Sequence, residues 1–241
     1  FFSSYSFGEL FINYQSGFIR RGFLGEIFWQ ADSHFSIKPK IFFGFIFLFL
    51  NILQLILYFK ILSFNKGKLL LIIYIVFFPS LLFFGIYDYK VYFLKDIFVK
   101  ISILLHAFII IYLKYSGKKE LYIFLLIYLI IPLLVIISLI HEYQIVFLSI
   151  HILFSYYFFN NYVKNKIYYL KYYFILLFLA LMLIYFNGTE DQFIYLNQIL
   201  KKYNVDLHPQ LYNGFYKLIG GFYKWHFFYF GYKDFLNLFF A

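Results

Sequence analysis

Long apolar runs alternate with short charged links along most of the chain. Read from charge to charge, the runs are Ile41–Phe59, Leu69–Tyr87, Val91–Leu113, Leu121–Ile140, Tyr143–Phe159 and Ile167–Phe186. Each approaches the roughly 20 residues that a helix needs to cross the bilayer core. A further candidate, Trp225–Ala241, is interrupted by Lys233 and Asp234. The pattern predicts an all-α, polytopic membrane helix bundle of about six to seven transmembrane helices with outward-facing loops. No internal repeat and no Pro- or Ser-rich linker divides it, so residues 1–241 read as a single integral membrane domain. Within it, 1–40 is an outer N-terminal segment and 41–186 a six-span bundle. Residues 187–241 are an outer loop plus a candidate partial seventh span. The chain starts at Phe1 and stops inside the apolar "FLNLFFA", so it reads as a fragment of a longer protein.

Composition agrees with this class: 64% of residues are hydrophobic and 13% charged, and mean hydropathy is +0.79. The 39 Phe and 27 Tyr, with abundant Ile, Lys and Asn, fit an AT-rich genome choosing among apolar codons. The absence of cysteine excludes disulfides and thiolate metal sites. The placement of charge is more telling. Links Lys60–Lys68, Lys114–Glu120 and Asn160–Lys171 carry nine lysines and a single acid, Glu120. The other ten acids (Glu9, Glu26, Asp32, Asp88, Asp96, Glu142, Glu190, Asp191, Asp206 and Asp234) fall on the opposite side. Short Lys-rich loops stay cytoplasmic. The N-terminal segment, Asp88–Lys90, His141–Glu142 and everything after Phe186 are therefore expected to face outward. Nine lysines in cytoplasmic loops account for most of the +10 net charge, which removes nucleic acid as a partner.

Three outward pieces carry candidate chemistry. In "SGFIRRGFLGEIF", residues 16–28, a helix over Phe18–Phe28 would gather Arg21, Gly22, Gly25 and Glu26 on one arc, with Arg20 opposite. Glycines beside an arginine leave room for a ligand or another backbone. Arginine grips phosphate with a bidentate fork, whether in a specific site or in lipid headgroups. In "DYKVYFLKD", a helix continuing into the third run places Asp88, Tyr92, Lys95, Ser102 and His106 on one face, with Asp96 beside it. Ionisable groups inside a span usually face the bundle interior or a wet cavity. They are read here either as the wall of a substrate chamber or as buried packing pairs such as Asp96 with Lys100. The third piece, His141–Glu142, sets a carboxylate beside an imidazole at a span end. It is a general base or a polar cap on a helical hairpin. It does not continue as H-E-x-x-H, so no metal is expected.

The order of "GFIRRGFLGE" before a span, "DYKVYFLKD" at the outer start of a later one and "HE" at another outer end resembles bacterial surface-polysaccharide proteins. Those are the oligosaccharide-repeat (O-antigen type) polymerases and the membrane glycosyltransferases that use lipid-linked sugars. The resemblance covers roughly residues 10 to 145 and implies location in the bacterial cytoplasmic membrane, with the site on its extracytoplasmic side. It implies a polyprenyl-phosphate- or diphosphate-linked sugar donor, a glycan acceptor, no cofactor and no metal. Under it, Arg20, Arg21 and Lys95, with Tyr92 beside them, would bind the phosphate. Asp96, Asp88 or Glu142 would be the base, with His141 as partner. A transporter or flippase-like carrier, or a non-catalytic accessory subunit, is the alternative.

Overall fold

The computed structural model describes residues 8–18, 22–64, 95–141, 144–162, 173–174, 176–178 and 190–205. Among these, every regular element is helical and none is a strand. The runs Leu69–Tyr87 and Trp225–Ala241, and most of Ile167–Phe186, lie outside the described residues.

Helix α1 (Phe23–Phe35) opens after Gly22 and closes where Ser36 turns left-handed (φ 50°), its amide donating to the Asp32 carbonyl. Helix α2 (Pro39–Phe64) starts at a proline, whose fixed φ and missing N–H suit a first turn. Helix α3 (Asp96–Ser116) stops at Gly117, which is left-handed (φ 72°), a helix stop that glycine reaches without strain. Helix α4 (Leu121–Ile140) contains one wide turn, Leu126–Ile130, just before Pro132. Proline lacks the amide a regular turn would use, and the widened turn absorbs the irregularity. Helices α5 (Gln144–Tyr162) and α6 (Glu190–Lys202) complete the described set.

Three of these, α2, α3 and α4, are long and apolar enough to cross a membrane. The protein is therefore a membrane protein. At about 1.5 Å per residue, even the 20 residues of α4 span the roughly 30 Å hydrocarbon core. The apolar part of α5, Phe147–Phe158, is shorter.

The helices align end to end. Phe47 lies 6.2 Å from Phe98 between ring centroids, and Phe64 stacks on Tyr115 at 5.1 Å, so α2 and α3 run parallel. Helix α4 returns antiparallel to α3, and α5 reverses again after His141, whose carbonyl accepts the Gln144 amide. One bundle end therefore gathers Asp96 and His141, and the other gathers Lys60, Lys114, Lys118 and Lys119.

Each end has its own core. At the Asp96 end, Leu10, Phe11, Phe28, Phe43, Ile97 and Leu200 pack together, joining the N-terminal segment, α1 and α6 to the starts of α2 and α3. At the lysine end, Leu113, Tyr122, Leu126, Leu134 and Phe158 form a second cluster. Water drives apolar groups together only outside the bilayer, so the first core draws on burial at about 25 cal/mol per Å². The second lies among spans and depends on close packing and on hydrogen bonds between helices. The outer face of α2 (Phe45, Phe49 and Phe59) is left exposed, as lipid contact requires.

Candidate functional site at the acidic end of the bundle

Asp96 is the first residue of α3 and His141 the residue that ends α4. Both positions suit their charge. A carboxylate is favoured at the positive start of a helix and an imidazolium at the negative end of one. Antiparallel packing brings these ends side by side, and His141 Nε2 lies 2.9 Å from Asp96 Oδ1. An ionised carboxylate only accepts, so this bond puts the imidazole proton on Nε2. Asp96 is half exposed, whereas His141 is mostly covered and its Nδ1 is buried. Asp96 is thus the member of the pair that an incoming group can reach, and His141 sets its orientation. Lys95, immediately before Asp96, is buried.

The N-terminal segment closes over this end by three devices. The first is Gly25: a Cβ there would stand 2.0 Å from the Ile12 carbonyl oxygen, so the backbone of residues 10–12 crosses α1 where only glycine fits. The second is Glu26. Its Oε2 accepts the Tyr14 amide at 3.1 Å, and its Oε1 accepts from Gln15 at 2.8 Å and from Gln30 at 2.9 Å. Partial burial pushes the Glu26 carboxyl up, but the hydrogen bonds from Gln30, Gln15 and Tyr14 outweigh it and hold it below 4.5. Burial, reinforced by the Glu26 charge, pushes the Tyr14 phenol up to about 12. The third device is α6. Lys202 Nζ donates to Asp32 at 3.2 Å, Tyr203 donates to the same carboxylate, and Gln192 Nε2 donates to the Phe18 carbonyl at 3.4 Å. Between Asn13, Ser16, Gln192 and Tyr195 there remains space for about one water.

Of the residues expected to carry chemistry, the structure joins Asp96 to His141, and Lys95, which precedes Asp96 in the chain, is buried. Arg20, Arg21, Asp88, Tyr92 and Glu142 lie outside the described residues. The described helix α1 begins at Phe23 with Gly22 as its cap, and residues 19–21 of the expected arc lie outside the described residues. The space at Gly25 is taken by backbone rather than held for a ligand. Asp96 is bonded to His141 on the neighbouring helix, a partner 45 residues away.

Ser102 and His106, read as either the wall of a chamber or buried packing groups, are fully buried between α3, α4 and α5. His106 meets His151 Nδ1 to Nδ1 at 2.9 Å and Tyr122 at 2.7 Å, and Tyr122 meets Ser155 at 2.8 Å. Ser155 bonds Tyr173 in turn. Sequence reading missed His151, Ser155, Tyr122 and Tyr173. One signal was there: Gln144, His151 and Ser155 recur at i, i+7 and i+11, a single stripe along the largely apolar α5. Among the described residues, no three His, Cys, Asp or Glu side chains form a metal-binding group.

Comparison with known proteins finds no family model, no curated protein and no solved structure that matches the chain.

Proposed function

We propose that the protein transfers or polymerises sugars from a polyprenyl-phosphate- or diphosphate-linked saccharide in bacterial surface-polysaccharide assembly. In this reading it has six to seven spans, as the roughly 20-residue runs suggest, and works at the extracytoplasmic face of the cytoplasmic membrane. The observation that supports it best is the Asp96–His141 pair at the acidic end of the bundle. Asp96 takes the proton of the acceptor hydroxyl as the oxygen attacks the anomeric carbon. The bond from that carbon to the lipid phosphate breaks, and the leaving phosphate keeps the electron pair. Lys95, Arg20 and Arg21 hold that phosphate, and His141 keeps Asp96 oriented. A carrier that moves a solute without bond breaking is the second reading, favoured by the buried polar groups of α3–α5.

The test is transfer of a labelled sugar from lipid carrier to acceptor in membranes, with protein level followed alongside. Asp96→Asn should lower transfer by roughly 10²–10⁴-fold, the usual contribution of a positioned base, at unchanged protein level. Arg21→Lys should also fail, because an ammonium cannot reproduce the paired fork. Full transfer by both variants removes these residues from the chemistry and favours the carrier.

A further inference from the structure

The deepest polar feature of the molecule is the row Ser102, His151, His106, Tyr122, Ser155 and Tyr173. Ser102, His106, His151, Ser155 and Tyr122 are all fully buried, and Tyr173 nearly so. Consecutive members lie within hydrogen-bonding distance along the whole row. Simple packing glue needs one or two such bonds between helices. Six linked groups, two of them imidazoles facing one another, exceed that need. Every member is a hydroxyl or an imidazole, a group that both donates and accepts.

The hydrogen positions follow from the ends. Tyr173 donates to the His151 carbonyl at 3.1 Å, so its hydroxyl must accept from Ser155. Ser155 then accepts from Tyr122, and Tyr122 accepts from His106 Nε2. With its proton on Nε2, neutral His106 accepts at Nδ1 from His151 Nδ1. At the far end Ser102 donates to the Val99 carbonyl at 2.7 Å, leaving the lone pair of His151 Nε2 facing its hydroxyl at 3.3 Å. The row is therefore polarised in one direction, and His151 Nε2 is where a proton can enter.

The row also points at the site. Ser102 lies six residues along α3 from Asp96, about 9 Å. Gln144 lies two turns before His151 on the same stripe of α5 and directly follows the His141 turn. It is almost wholly buried (1% exposed), and neither its side-chain oxygen nor its nitrogen has a hydrogen-bond partner. A buried amide with both functions unused is a place for water.

We propose that this row is a proton path connecting the Asp96–His141 end of the bundle to the lysine-rich end, completed at Gln144 by water. A proton accepted at His151 Nε2 releases the Nδ1 proton to His106 Nδ1. His106 then releases its Nε2 proton to Tyr122. Tyr122 and Ser155 each pass one proton on, and Tyr173, two residues after Lys171 in the chain, releases one when its hydroxyl turns from the His151 carbonyl toward the lysine end. No bond to carbon changes and no charge is left behind. The rings and hydroxyls then turn back for the next passage. The path goes beyond sugar transfer and stands whether or not that reading does, since a proton-driven carrier would need the same row.

The test uses the full-length protein in liposomes that enclose a pH-sensitive dye, with a potassium potential imposed through valinomycin. Wild-type protein should pass protons faster than protein-free liposomes, and more slowly in D2O than in H2O. Tyr122→Phe and Ser155→Ala, which remove only hydroxyls, should fall to the protein-free level, while Ser155→Thr should keep the flux. All are compared at equal amounts of monodisperse protein. Wild-type flux no greater than that of empty liposomes overturns the proposal, even where a variant fails to fold. Undiminished flux in Tyr122→Phe and Ser155→Ala overturns it too. Loss of sugar transfer has no bearing on either result.

Discussion

At Gly25 a hydrogen stands where any other residue would put a methyl group against the Ile12 carbonyl. Gly25→Ala must push the N-terminal strap off α1, and overpacking of this kind costs about 1–3 kcal/mol. Gly44→Ala is the control, because a Cβ there meets nothing within 4 Å. Thermal unfolding in detergent should drop for the first variant and hold or rise slightly for the second. The neighbouring Glu26 adds a pH response. Its folded pKa lies below the ordinary 4.5, so its contribution is present above 4.5 and is lost as pH falls through the lowered value. Hydrogen-exchange protection of the Tyr14 amide, which Glu26 holds, should fall in that acid range and be absent already at neutral pH in Glu26→Ala. The glycine spacing near Arg21 was legible as a close approach but not as to what approaches. Spacing reports missing side-chain volume, and a ligand and a crossing backbone segment need the same volume. Asp96 and His141 were readable as neighbours in role because both close spans on one side. Their bond was not readable, since it depends on the register between α3 and α4.

Among the elements, α6 is the one held by side chains at its C-terminal edge. Hydrogen bonding to Tyr203 and Asp32 raises the pKa of exposed Lys202, and the lysine also lies over Trp29 at 5.6 Å. Exposed pairs of this sort contribute little. The partly buried bond from Tyr203 to the Asp32 carboxylate is worth more, about 1.5 kcal/mol for a hydrogen bond to a charged group. Tyr203→Phe should therefore speed amide exchange across Glu190–Lys202 by roughly ten-fold, leaving α3 and α4 unchanged, while Lys202→Ala should change it far less. Exchange read by mass spectrometry in detergent checks both. The charge-to-charge reading placed α2, α3 and α4 well, because about 20 apolar residues between charges leave little freedom in a bilayer. The first residues of the third run, 91–94, lie outside the described residues, and the described helix opens at Asp96. The wide turn of α4 was not recognised, although Pro132 inside an apolar run was its mark.

For the whole molecule, the described residues put Glu9, Glu26, Asp32 and Asp96 at one end and Lys60, Lys114, Lys118 and Lys119 at the other. That separation was legible because alternate links must fall on alternate sides. The parallel course of α2 and α3 is the arrangement expected of a first and a third run. Which end faces the cytoplasm is a separate question. Lys38, Lys40, Lys201 and Lys202 also lie toward the acidic end, so lysines alone do not divide cleanly. The rule that retains positive charge counts short links, and long terminal segments cross largely regardless of charge. By that count the acidic end is the one expected to face out. The chain has no cysteine, so single cysteines report without background. Ser33 and Ser116 are both exposed, at opposite ends. In intact cells an impermeant thiol reagent should label Ser33→Cys and spare Ser116→Cys, and both should react once the membrane is opened. The reverse pattern would put Asp96 and His141 on the cytoplasmic side, out of reach of a lipid-linked sugar presented outside. The proposed transfer would then fail on topology alone, while the buried proton row would stand with its direction inverted.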